Sequence, residues 1–242
     1  MNLYKNVFFP LRERTGFGAC DCGLLLWRSN FLPLAISFAI PLTVLAAAGS
    51  FLSADINTII FTSVTWWLKP LFDRLALHII QIRFFNKDAQ GKTLYKGIFK
   101  NTLKALAGDL LWRRFSIKRS VIMPIRILES LKGQKLLKRK KTLERGGIGF
   151  GIFLTIFCLC LEVLLFASTL VFYYFLEEVS SYLEIFSGEN SSFWLCAIPY
   201  LINYIIVETM YVCCGFSLYI NSRVIVEGWD LQLILDVGGI KK

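Results

Sequence analysis

The sequence predicts an all-α, polytopic membrane protein with four transmembrane helices, interfacial amphipathic helices and both termini cytoplasmic. Three observations lead there. Runs with little or no charge, long enough to cross a bilayer, occupy residues 31–52, 148–176 and 193–220. Between Arg83 and Arg145 the chain carries 18 Lys/Arg against 4 Asp/Glu, whereas residues 177–192 carry four Glu and no Lys or Arg. Lys/Arg-rich loops stay on the cytoplasmic side, so this separation orients the chain. Composition agrees: 55% of the 242 residues are hydrophobic and the mean hydropathy is +0.57, values of the membrane class.

A net charge of +10 could suggest nucleic acid. Its placement argues otherwise, because the middle segment alone carries +14 (18 minus 4) and no nucleic-acid motif accompanies it. Basic residues beside a membrane are drawn to anionic headgroups by about 1 kcal/mol each. The expected partner is therefore the lipid bilayer with its anionic headgroups, and no nucleic acid.

Residues 1–30 are expected to be cytoplasmic and interfacial, with an apolar cluster at Leu24 to Trp27 and Asp21 as the cap of a short helix. The first span, residues 31–52, would be about 33 Å long as a helix. Pro33 is tolerated in its first turn and Pro41 predicts a kink. The run is too long for the apolar part of a cleaved signal peptide, so the segment is read as retained.

The second span is bounded at residues 56–80 and is the awkward one. Its apolar part, 56–68, would be about 20 Å, short of the roughly 30 Å core. In one reading Trp66 and Trp67 mark the interface, Lys69 and Arg74 snorkel, and residues 71–85 turn along the surface. In the other the helix continues to about Ile80, and Lys69, Asp73, Arg74 and His78 point into the protein. Lys69/Asp73 and Arg74/His78 are each spaced i,i+4 and share a face. The tryptophans favour the first reading and the short run the second; the first is preferred.

Residues 83–147 form the basic cytoplasmic region. Within it, residues 92–112 have lysines every four residues and a broad leucine side, the pattern of a helix in the headgroup layer. Residues 113–145 read as a charge block that fixes topology. Gly146, Gly147, Gly149 and Gly151 loosen the entry to the third span; Gly147 and Gly151 have close-packing spacing, with a hinge as the alternative. The third span is 148–176, the acidic outer loop 177–192, the fourth span 193–220, and the cytoplasmic tail 221–242.

Two carboxylates fall near mid-span. Glu162 is the fifteenth residue of its run and Glu208 the sixteenth of its own. Ionised groups at such depth cost several kcal/mol and usually face the protein interior. Each lies on a polar stripe: Thr155, Glu162, Thr169 and Tyr173 on one helix, and Tyr200, Tyr204, Glu208 and Tyr211 on the other. One reading is a proton- or cation-binding pair. The preferred one has both protonated and bonded to tyrosine or threonine, with Lys69 or Arg74 as ion-pair partners if their segment enters the bilayer. No nucleophile stands beside a base and no phosphate-binding loop is present, so no enzyme and no cofactor are expected. Cys20 and Cys22 lack a second pair for a metal site, and a disulfide framework is not expected on the cytoplasmic side.

Three stretches carry a resemblance: Trp67 through Arg74; Leu111 through Ser116 with Arg119-Ser120 and Leu128 through Gly133; and Glu227-Gly228-Trp229-Asp230-Leu231. Together they resemble uncharacterised bacterial multi-pass inner-membrane proteins encoded beside a MoxR-type AAA ATPase, a von Willebrand-type domain protein and a transglutaminase-like membrane protein. Glu208 to Tyr211 is similar to that family's Glu-Pro-Phe-Tyr, with Thr209 in place of proline. More distantly, the layout resembles the membrane domain fused to glycerophosphodiester phosphodiesterases, whose catalytic domain has no counterpart here. The resemblance implies a location in the bacterial inner membrane and partners such as the AAA ATPase or the transglutaminase-like protein. The expected function is a non-enzymatic scaffold or accessory subunit. Lys69, Asp73, Arg74, Glu227, Trp229 and Asp230 are the expected organisers of its partner face. The alternative is a small transporter or channel subunit, with a homo-oligomer doubling the spans.

Overall fold

The computed structural model describes residues 8–49, 54–86, 91–95, 97, 116–131, 133–183 and 191–229, and the regular structure among them is all helical. Helix α1 (Gly16–Ser29) begins at Thr15, whose Oγ1 accepts from the Gly18 N–H at 3.2 Å. That bond satisfies one orphan donor of the first turn. Asp21, the expected cap, lies inside the helix. Helix α2 (Phe31–Gly49) follows after Asn30 and runs unbroken through Pro41.

Helix α3 (Ala54–Phe85) settles how the chain continues past the tryptophans. It is one helix of 32 residues, about 48 Å long, so residues 71–85 extend it instead of turning away. Trp66 and Trp67 are about half exposed on its outer side, while Asp73, Arg74 and His78 are buried on the inner one. The tryptophans mark an outward face, not an end.

Of the expected amphipathic helix at 92–112, the described residues hold only the single turn α4 (Lys92–Tyr95). Helices α5 (Arg119–Leu128) and α6 (Gly133–Leu143) pack together as a hairpin. A π-helical turn (Glu144–Ile148) then leads into α7 (Phe150–Leu183). Gly147 sits at φ +91°, which a side chain would strain, with open space around it. It is the bend; the close packing expected of it belongs to Gly151, which faces Val121 of α5.

Helix α8 (Ser191–Glu227) completes the fold. Both α7 and α8 continue beyond their expected ends, so residues 177–183 and 221–227 are helical rather than loop and tail. Apolarity stops where a membrane would, but backbone hydrogen bonding need not. Residues 184–190 of the acidic loop and 230–242 of the tail, with Asp230, lie outside the described residues.

Among the described residues, three helices are long and apolar enough to cross a membrane, at Phe31–Ala48, Phe150–Leu176 and Ala197–Glu227. The fourth expected span, α3, has the length, but Asp55, Lys69, Asp73, Arg74 and Arg83 interrupt its apolarity.

Helix α8 is the axle. Every residue from Tyr211 to Ser222 is buried, and α1, α2, α3, α5 and α7 pack around it. Two of its serines bond to neighbouring segments: Ser217 Oγ donates to the Ala19 carbonyl at 2.7 Å, and Ser222 Oγ to the Leu218 and Gly146 carbonyls. Gly215 lets α5 reach α8, since a Cβ there would lie 2.4 Å from Ser120 Cβ. Helices α3 and α7 both pack on α8 but scarcely on each other. A seam is left between them.

Candidate functional site

The buried charges meet at that seam. Lys69 of α3 places its Nζ 2.6 Å from Glu162 Oε2 of α7 and 2.8 Å from Glu208 Oε2 of α8. One turn further along α3, Asp73 Oδ2 lies 2.6 Å from Arg119 Nη2, and the same nitrogen donates to Glu208 Oε1 at 3.1 Å. Five charged groups from four helices form one chain of contacts, Glu162–Lys69–Glu208–Arg119–Asp73. Asp73 and Glu208 are almost fully enclosed, with side-chain exposures of 1% and 2%, while Glu162 stands at the rim at 27%.

Sequence spacing explains how the helices deliver these groups. Lys69 and Asp73 are one turn apart on α3, so both face α8. Arg119 is the first residue of α5, and its neighbour anchors it: the Ser120 backbone N–H donates to Tyr211 Oη at 3.1 Å. The tyrosine also shares a hydrogen bond with Thr155 Oγ1 of α7 at 3.1 Å. The Arg119 guanidinium lies 6.0 Å from the centre of the Tyr211 ring.

The two glutamates are therefore not a carboxylate pair facing each other, nor does tyrosine or threonine hold them. An ammonium stands between them. Tyr204 does not touch either carboxylate by hydrogen bond; it is buried among Phe38, Phe72 and Tyr200, and its Oη has no hydrogen-bond partner. Lys69 and Asp73 belong with the glutamates rather than with a partner face. Arg74 is buried on α3 beside them in sequence.

Glu227 and Trp229 belong to a second cluster. Glu227 lies 19 residues beyond Glu208, about 28 Å along α8, and Trp229 two residues further on. There Arg139 of α6 grips Glu129 with two nitrogens, at 2.6 and 2.9 Å, and also pairs with Glu227. Arg223 Nε donates to Glu227 at 2.9 Å and its guanidinium covers the Trp229 ring at 4.3 Å. Tyr219 Oη donates to Glu129 at 2.9 Å. This cluster fastens the α5–α6 hairpin to the end of α8. It leaves Lys135, Leu137, Lys138 and Lys141 of α6 exposed.

Sequence reasoning missed Arg119. Its signal was faint but present. It opens residues 119–128, an apolar island with a single further charge, Arg126, inside the most basic part of the chain. An apolar decamer in such a block has to bury against something.

A cavity of about 280 Å³ opens beside the ionic chain, lined by Lys69, Arg119, Glu162, Glu208, Thr155 and Tyr211 among others. A longer groove of about 580 Å³ follows the seam, walled by Trp66, Trp67, Leu159, Val163, Phe166 and Tyr200. Trp66, Leu159 and Glu162 line both spaces. Among the described residues no group of His, Cys, Asp and Glu is placed to hold a metal ion.

The fold and site define a class: an all-helical protein built on helices long and apolar enough to cross a membrane, with an ionic cluster among them. The chain matches no protein-family model, no curated protein and no solved structure.

Proposed function

We propose that this chain is a non-enzymatic accessory subunit of a membrane-associated complex, a four-span scaffold with both ends cytoplasmic in a bacterial inner membrane. The observation that supports it most is the sharing of each cation between two carboxylates: Lys69 by Glu162 and Glu208, Arg119 by Asp73 and Glu208. Charges held at 2.6 to 3.1 Å in this way position helices against one another. A buried pair gives no large net stability over apolar packing, but removing one member is costly. The network thus fixes one arrangement of α3, α5, α7 and α8. The second cluster does the same for α6, presenting its lysines and Leu137 outward. That face would dock on anionic headgroups and on a protein partner, the AAA ATPase or the transglutaminase-like protein of the resembled family.

The test uses native membranes and purified protein together. A photo-crosslinker at Leu137 should trap one partner protein, and charge reversal of Lys138 and Lys141 should abolish the adduct. Proteoliposomes of the wild type should pass neither protons nor monovalent cations. A flux that Glu208→Gln removes would overturn the scaffold reading in favour of transport. One observation supports that second reading, the cavity of about 280 Å³ beside the same glutamates.

A further inference from the structure

The seam between α3 and α7 has a composition that neither helix packing nor a scaffold role requires. Both cations of the cluster, Lys69 and Arg119, line the ionic cavity. Lys69 has three N–H donors and two carboxylates to take them. In the cluster Glu162, Glu208 and Asp73 stand against Lys69 and Arg119. Glu162, the group at the rim, sits where the cavity meets the groove. A small space of about 20 Å³ is lined by Glu162, Tyr200 and Tyr204.

A ligand that completes this site needs an anionic oxygen for Arg119 and Lys69, an ammonium for Glu162, and an apolar tail for the walls of the groove. A free anion would meet Glu162 and Glu208 across the same cavity. A free cation would leave Lys69 and Arg119 facing it without an anion. A zwitterionic headgroup on an acyl chain supplies all three.

We propose that the seam seats one phospholipid of the ethanolamine type from the surrounding bilayer. Its phosphate faces Arg119 and Lys69, its ammonium donates to Glu162, and one acyl chain runs along Leu159, Val163 and Phe166. The lipid comes from the leaflet next to the α5–α6 end. The cavity reaches Ser116 and Thr155 on that side, and Glu162 lies two turns deeper along α7 than Thr155. The headgroup is drawn about 10 Å toward the bilayer centre relative to its neighbours. The seat depends on the chain lying in a bilayer, not on its being a scaffold.

Native mass spectrometry of the full chain tests this. The protein is released from micelles holding equal amounts of phosphatidylethanolamine and phosphatidylglycerol. The wild type should retain one lipid, with the ethanolamine form favoured about tenfold, a preference of about 1.4 kcal/mol. The exposed basic face would by itself favour phosphatidylglycerol, so the direction of preference separates the two sites. Glu162→Gln should bring the preference near parity. Val163→Trp, at an outward position that leaves the ionic chain intact, should fill the groove and cut retention at least fivefold, a change of about 1 kcal/mol. Equal or greater retention of phosphatidylglycerol overturns the proposal, as does retention that Val163→Trp leaves unchanged. Disulfide crosslinking of Val163→Cys between two copies would give the groove to a second chain and overturn it as well.

Discussion

Arg119 Nη2 and Glu208 Oε1, 89 residues apart in sequence, meet at 3.1 Å inside the bundle. This contact ties the first residue of α5 to the middle of the axial helix, and through Glu208 to Lys69 and α7. It converts a segment that reads as basic surface into part of the core. Removing the guanidinium leaves Asp73 and Glu208 enclosed with one cation between them. Arg119→Met should therefore destabilise the protein by about 3–5 kcal/mol, the usual cost of breaking a buried pair. Arg119→Lys keeps the charge but not the planar fork that reaches two carboxylates, and should recover only part. Thermal unfolding in detergent, followed by circular dichroism, orders the three proteins; a Met variant as stable as the wild type would contradict the network.

Lys69 allows a sharper test of the same physics. Lys69→Met alone strands Glu162 and Glu208 without their ammonium and should cost about 3–5 kcal/mol. Adding Glu162→Gln and Glu208→Gln removes the stranded charge and should restore most of that loss. Non-additivity of about 2 kcal/mol or more is the expected signature of groups that act as one unit. Additive losses across the three substitutions would mean the contacts are independent.

Gly215 sets the depth of α5. A methyl group there would lie 2.4 Å from Ser120 Cβ and 2.8 Å from the Ser120 carbonyl oxygen, and backbone cannot yield as a flexible side chain does. Gly215→Ala should push α5 away from α8, break the Ser120–Tyr211 hydrogen bond and loosen Arg119. A loss of about 1–3 kcal/mol follows from such overpacking, with Arg119→Met then adding little. Hydrogen exchange of the α5 amides reads the displacement directly, and unchanged protection would contradict it.

Much of this fold was legible because one signal is strong. Apolar length located three of the helices to within a few residues at most ends. The i,i+4 spacing of Lys69 and Asp73 showed that they share a face, though not which face. The tryptophans misled because they lie on the outward side of a helix whose inward side carries the charges. Period and composition give what a helix can bury, and only packing decides what it does bury. The pairing of Lys69 with both glutamates needed the long-range approach of three helices. Arg119 was hidden for the same reason, since nothing local distinguishes a cation that inserts from one that is solvated. Thr209 departs from the resembled proline, and its side chain has a use here: its Oγ1 accepts from Trp27 Nε1 at 2.8 Å, linking α1 to α8.

The ion pair between Lys118 and Glu144 extends this logic to pH. Lys118 Nζ donates to Glu144 Oε1 at 2.8 Å, joining the start of α5 to the π-helical turn outside the spans. That hydrogen bond holds the Glu144 carboxyl below its ordinary range. A carboxyl whose folded value is depressed stabilises fully above its unfolded value, about 4.3, and the contribution is lost as pH falls through the folded value. The pair is exposed, so screening limits it to well under about 1 kcal/mol. Glu144→Gln should lower the melting temperature slightly at pH 7, and the difference should fade as the pH falls through the folded value. The difference at pH 7 should also shrink in about 1 M salt, where the screening length falls to about 3 Å. A difference that does not fade on acidification would assign the effect to side-chain shape, not to the ion pair.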